Sequence, residues 1–261
     1  MSLVISVLTV VLGYSTLGLA AQSVGSEPLN SLPSANWRVR AQSIERLARN
    51  PGALRSPTTR TLLVALLDRE TRLVQDRASN EAKGGEGYGE YYSRLLGIVD
   101  SLVDSRDASS VGVLVRSVYN PDSGFALKLA SYGQTAVGPL LEMSISDKAH
   151  DRAIAAEMLG RVLRRQRLGS SQQPLSSRST RDVETRLRAH LRDSESLVRR
   201  AAIRGVVEAG DVESIAILEQ IRTSDLETRS TENGTVKFPI REDAAKAIAA
   251  IRANPLPRRG W

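Results

Sequence analysis

Arg152-Ala153-Ile154-Ala155-Ala156-Glu157-Met158-Leu159 and Arg199-Arg200-Ala201-Ala202-Ile203-Arg204-Gly205-Val206 decide the fold, because both follow one rule. An arginine is followed at +3 by a small residue and at +4 and +7 by apolar ones. Arg40 with Ser43, Ile44 and Leu47 obeys it, as does Arg241 with Ala244, Ala245 and Ile248. Positions +3, +4 and +7 share one stripe of an α-helix, so each segment predicts an amphipathic helix with a narrow face of small residues. Such a face admits a second helix at close range. Arginines 152, 199 and 241 are spaced by 47 and 42 residues, which suits one helical hairpin with its turns in a repeat protein, about 40–47 residues.

The chain between these segments supplies partner helices. Residues 136–143 carry Pro139 near an expected helix start, where its missing N–H costs nothing. Residues 183–191 and 212–221 show further aliphatic stripes. Weaker copies lie at 108–118 with 125–132, and at 58–67 with 91–103. Together these predict five helical hairpins preceded by one lone helix, 37–48, capping the stack. No stretch alternates with period two for long enough to predict a sheet.

Gly133-Gln134-Thr135-Ala136-Val137-Gly138-Pro139-Leu140-Leu141, followed by Asp147, Arg152, Ala155, Ala156 and Leu159, resembles a HEAT repeat, in the variant similar to phycobilisome-lyase repeats. In that family an Asp in the inter-helix turn and an Arg early in the second helix stack as a ladder. The resemblance implies such a ladder from Arg40, Asp147 with Arg152, Asp193 with Arg199, and Asp225 with Arg241 across an insertion. It covers residues 35–253, strongly in the second half and in degenerate form before Phe125. The motif is one of packing, so it implies a fold and partner binding but no reaction, and nothing matches a bilin site beyond the repeat itself. The expected fold class is all-α: a right-handed α-solenoid of about five HEAT-like hairpins plus an N-terminal capping helix over residues 36–253, with a tail at 254–261.

Composition agrees with packed helices. Of 261 residues, 41% are hydrophobic and 25% charged, which excludes wholesale disorder, and only 4% are aromatic. With no cysteine there is no disulfide framework and no thiolate chemistry. The net charge is +7, and only five of the 36 basic residues are lysines. Arginine suits carboxylate and phosphate partners. Yet most arginines alternate with acids, as in Arg181-Asp182-Val183-Glu184, the pattern of a helix face laced with ion pairs.

Residues 1–26 contain no charged side chain, residues 3–12 are almost continuously apolar, and Gly18-Leu19-Ala20-Ala21-Gln22 fits a small-residue cleavage site. Residues 1–21 are therefore expected to be a signal peptide or membrane anchor, although a basic n-region is missing. A flexible linker is expected over 22–35. The implied location is periplasmic or extracellular, or tethered to the membrane by this segment alone.

Two insertions are expected in turns of one kind, at 69–90 and 226–238. The first ends Gly84-Gly85-Glu86-Gly87-Tyr88-Gly89-Glu90-Tyr91-Tyr92. Its tyrosines offer large amphipathic contact area, so Tyr88, Glu90, Tyr91 and Tyr92 are the expected partner-binding residues. Residues 168–179, rich in Ser and Gln, read as a flexible loop. No catalytic residue, metal site or cofactor is expected: His150 beside Asp147 and Asp151 is explained by the ladder, and His190 by a helix end. Three functions remain. The favoured one is a non-catalytic interaction scaffold for a protein partner. Nucleic-acid binding through an arginine-rich face is disfavoured, and a lyase-like or chaperone-like activity lacks any recognisable pocket.

Overall fold

The computed structural model describes residues 27–75, 86–230 and 236–254; the expected leader, 1–21, and most of the tail lie outside them. Thirteen α-helices run in order: α1 Glu27–Asn30, α2 Trp37–Ala48, α3 Pro51–Leu54, α4 Pro57–Gln75, α5 Tyr88–Leu102, α6 Ala108–Arg116, α7 Gly124–Ser131, α8 Gln134–Met143, α9 Ala149–Leu168, α10 Ser177–His190, α11 Ser196–Ala209, α12 Ile215–Ser224 and α13 Pro239–Ala253. A 3-10 turn, Val212–Ser214, leads into α12. Among the described residues the chain is all-α apart from β1 (Arg229–Ser230) and β2 (Val236–Lys237), a short antiparallel ribbon within the second insertion.

The helix ends follow from local chemistry. Asn36, Asn50, Asp107, Ser123 and Ser176 cap α2, α3, α6, α7 and α10 with side-chain oxygens that accept otherwise unpaired backbone N–H groups. Gly169 and Gly210, at φ 70° and 60°, stop α9 and α11 in the left-handed conformation.

The helices form two layers. In one, α4, α6, α8 and α10 pack in succession; in the other, α7, α9, α11 and α13 do. Sequential neighbours such as α4–α5, α8–α9, α10–α11 and α12–α13 join the layers, and α2 packs on α5. The core is the seam between them, built from Leu, Ile, Val and Ala. The most intimate crossing is α9 on α11. A Cβ on Gly160 would lie 2.3 Å from the Gly205 carbonyl oxygen, and one on Gly205 would lie 2.6 Å from that of Ala156. Only glycine lets these two backbones meet.

Four local expectations are corrected. α8 starts at Gln134, so Pro139 lies inside the helix, where its ring nitrogen cannot donate to the fourth preceding carbonyl. Chain expected as linker already packs, since Leu32 is buried and Leu29 rests on the core. The first insertion is shorter than 69–90, because α4 continues to Gln75 and α5 begins at Tyr88. Finally, the segment 168–179 is a docked strap. The Gln172 N–H donates to the Ser131 carbonyl (2.7 Å), and Gln134 N–H to that of Gln173 (3.0 Å). Gln173 Nε2 reaches the Ser105 carbonyl (3.0 Å), and Leu175 is buried. Gly133, at φ 60°, lies so close under the strap that a Cβ there would sit 1.9 Å from the Gln173 oxygen. Its Ser and Gln residues serve as hydrogen-bond partners for backbone groups that packing would otherwise strand.

Candidate interaction face

The repeated arginine makes one arrangement in three settings. Nη1 of Arg152 donates to the Ser146 and Asp147 carbonyls, both at 3.0 Å, while Nε and Nη2 grip the Asp193 carboxylate at 3.0 and 2.9 Å. Nη1 of Arg199 takes the Asp193 and Ser194 carbonyls, at 2.9 and 2.8 Å, while Nε and Nη2 hold Asp225 at 2.8 and 3.3 Å. Nη1 of Arg40 takes the carbonyls of Ser34 and Ala35, at 2.5 and 2.8 Å. Each guanidinium thus closes its own turn and ties it to the next hairpin. Burial alone would push the Asp193 carboxyl up, but the Arg152 guanidinium outweighs it and holds that carboxyl below its usual range.

Arg241 completes the series across the insertion: its Nε donates to the Asp225 carbonyl (2.6 Å), and its guanidinium lies 4.0 Å from the Phe238 ring centre. Asp225 therefore does for Arg241 and Arg199 what Asp193 does for Arg199 and Arg152. Asp147 is a correction. Its carboxylate is exposed and meets only Ser146 Oγ at 3.5 Å, so it contributes a carbonyl to the ladder and no acid. The position equivalent to Asp193, six residues before the arginine, is Ser146.

Arg40 differs in its acid. Nη2 pairs at 2.8 Å with Glu70 of α4, both side chains being fully buried, and Nε donates to Tyr91 Oη at 3.3 Å. Tyr88 Oη donates to the other Glu70 oxygen at 2.7 Å. The Tyr88 and Tyr91 rings pack on Trp37 with centres 5.7 and 5.9 Å away. Burial raises both phenols: Glu70 adds to the rise at Tyr88, and Tyr91 is pushed up to about 12 although Arg40 opposes it.

The expected recognition loop is thereby corrected. Tyr88 and Tyr91 are 5% and 4% exposed and belong to the core. Tyr92 is half-buried, its hydroxyl 3.0 Å from Thr71 Oγ1, which lies 2.9 Å from Ser117 Oγ. Only Glu90 faces solvent, beside Arg94 at 3.5 Å. Residues 88, 91, 92, 95 and 99 form a helical stripe, and that spacing was the signal for burial.

Among the described residues, no group of three or more His, Cys, Asp or Glu is placed to hold a metal ion. The ring of His150 lies 5.5 Å from that of Tyr119, tilted by 51°. His190 ends α10 and is buried, with Nδ1 3.7 Å from Asp193.

A feature missed in the sequence is a groove of about 470 Å³ lined by α9, α11 and α13. Ile203, Val207, Ala247 and Ala250 supply its apolar surface, and Arg200, Arg204 and Lys246 stand among its charged residues. Residues from three distant segments build it, so no local pattern announces it.

No protein-family model matches the chain, and no curated protein matches it. Two crystal structures of engineered proteins are similar to it. One covers 88% of this chain and 97% of its own at 15% identity and a TM-score of 0.38. The other covers 89% and 100% at 14% identity and the same TM-score, 0.38.

Proposed function

We propose that this chain is a HEAT-like, right-handed α-solenoid of about five hairpins, acting as a non-catalytic scaffold for a protein partner. On this reading it is exported, or held at a membrane by residues 1–21. The observation that carries the reading is the repeated clamp, in which Arg152 and Arg199 close their own turns and bind the acid of the next. Arginines engaged in this way set the angle between hairpins and are withdrawn from phosphate or substrate. The same engagement disfavours nucleic acid, since a phosphate backbone would have to displace paired carboxylates. What a stack of hairpins offers a ligand is its extended surface. No helix among the described residues is long and apolar enough to cross a membrane, so anchoring falls to the leader segment in this proposal.

The test is localisation with intact mass in a native type of host, followed by crosslinking in that compartment. A species beginning at Ala21 outside the cytoplasm, or a full-length membrane species, with a discrete protein adduct, is expected. Full-length protein free in the cytoplasm, binding nucleic acid with steep salt dependence, overturns the proposal.

A further inference from the structure

The carboxylates around the α9–α11–α13 groove are all engaged. Glu157, nearly fully buried, is held by Arg161 at 3.0 Å and by Nε and Nη2 of Arg204 at 3.0 and 2.9 Å. Arg161 also takes Asp122 at 2.5 Å, and Arg164 takes Glu208 at 2.5 Å. Asp243 accepts from Arg200 Nε at 2.9 Å.

The cations are not exhausted in the same way. Arg200, with a side chain 47% exposed, uses only Nε, which leaves two terminal nitrogens. Arg204, 52% exposed, keeps Nη1. Lys246 is exposed, lies three residues beyond Asp243 on α13, and makes no ion pair among the described residues. Uncommitted N–H donors of positive charge therefore stand beside an apolar surface of Val207, Ala247 and Ala250.

That combination suits a carboxylate next to an aliphatic side chain. It does not suit single-stranded nucleic acid, because no aromatic residue lines the groove to stack a base. We infer that the groove binds an acidic, leucine-like segment of a protein partner, its carboxylate on Arg200 and Lys246 and its aliphatic side chain on Val207 and Ala250. The chain's net charge of +7 favours the encounter. This inference rests on the scaffold proposal and gives its partner a chemistry.

The test is fluorescence anisotropy on the whole chain with a short labelled peptide of glutamate and leucine, its glutamine counterpart, and oligothymidylate. Binding is expected for the glutamate peptide alone, weakened about tenfold by Lys246→Glu. Arg178→Glu, which changes net charge equally at a side chain 89% exposed on α10, is expected to bind as the parent does. Equal losses in the two variants, no binding of the glutamate peptide, or tighter binding of oligothymidylate overturns the inference. Crosslinking in the native compartment separates the two proposals. A partner adduct formed equally by Lys246→Glu sinks the groove and leaves the scaffold standing. No adduct from the parent sinks the scaffold even where the peptide binds.

Discussion

The two ends of the molecule solve the same problem differently. In α8–α13, Arg152 and Arg199 each find their acid in the turn of the following hairpin, and the pair stays partly hydrated. In α2–α5 the equivalent Arg40 finds Glu70 in the body of a helix, and both side chains are sealed from water. Arg40, Arg152 and Arg199 are each the fourth residue of their helices, α2, α9 and α11. The fourth residue of α5 is Tyr91 and that of α7 is Leu127, 43% exposed. Where α7 offers no arginine, the next turn carries Ser146 in place of an acid. The clamp is thus a contract between adjacent hairpins, and both parties are present or both are absent.

Sealing makes the first region the more fragile. Arg40→Met leaves the Glu70 carboxylate buried and uncompensated, and should cost about 4 kcal/mol in urea unfolding. Glu70→Met strands the guanidinium and should cost a similar amount. The double variant should recover part of the loss, because neither charge is then left alone. A double variant as unstable as the sum of the singles would show that Arg40 acts through the Ser34 and Ala35 carbonyls instead.

The α9–α11 crossing is the weak point of the other region. Gly160→Ala forces two backbones apart, with no flexible side chain to yield, and should cost about 3 kcal/mol. Gly112→Ala is the contrast. Its Cβ would rest 3.6 Å from Pro139 Cγ, an ordinary contact, and its helical position favours alanine, so stability should change by less than about 1 kcal/mol. Equal losses at both sites would mean that helix spacing is not set by Gly160 and Gly205.

The clamp itself comes next in size. Arg152→Lys keeps the charge but cannot reach two carbonyls and both oxygens of Asp193 at once, and should lose about 2 kcal/mol. The same change at exposed Arg178 should be neutral within about 0.5 kcal/mol. Arg152→Lys at parental stability would reduce the clamp to simple charge pairing.

Much of this contrast is legible in the sequence, and the losses have specific causes. The helices announce themselves because small and apolar residues recur at +3, +4 and +7, and because Asn, Ser and Asp stand at their starts. The rule also picks out Arg40, Arg152, Arg199 and Arg241. The rule itself names no acid: Asp193 and Asp225 come from the repeat resemblance, Asp147 misses the clamp by one residue, and Glu70 lies in a helix that carries no turn signal. Tyr88, Tyr91 and Tyr92 mislead because the glycines around them draw attention away from the stripe they share with Leu95 and Val99. The strap 168–179 hides because its partners, Ser105, Ser131 and Gln134, are remote in the chain. The groove is hidden in the same way, since its charges are neighbours only once α9, α11 and α13 lie side by side.

The smallest expected effect distinguishes the regions by pH. Both histidines lie beyond α7, and His190 is buried behind the clamp, its Nε2 without a hydrogen-bond partner. Burial holds its imidazole below the ordinary 6.5; Asp193 opposes that, while Arg186 and Arg152 reinforce it. Because the folded value is depressed, the unfolded chain takes up a proton first as pH falls. Stability should therefore decline from about pH 6.5 down to the folded value and level off below it. Asp193 and Asp211, the latter a buried carboxylate gripped by Nε and Nη2 of Arg188 at 2.8 Å, act lower. Their folded values are depressed below 3.8, so their stabilisation is complete above that pH and is lost as pH falls through the folded values. In urea titrations run from neutral pH down through the His190 window, and kept above the Asp193 and Asp211 window, His190→Gln should flatten the decline. Hydrogen exchange at mildly acid pH should rise at α10 and α11 before it rises at α2 and α5. Exchange that rises uniformly along the chain would show that the two regions unfold as one unit and that the contrast between them is local geometry alone.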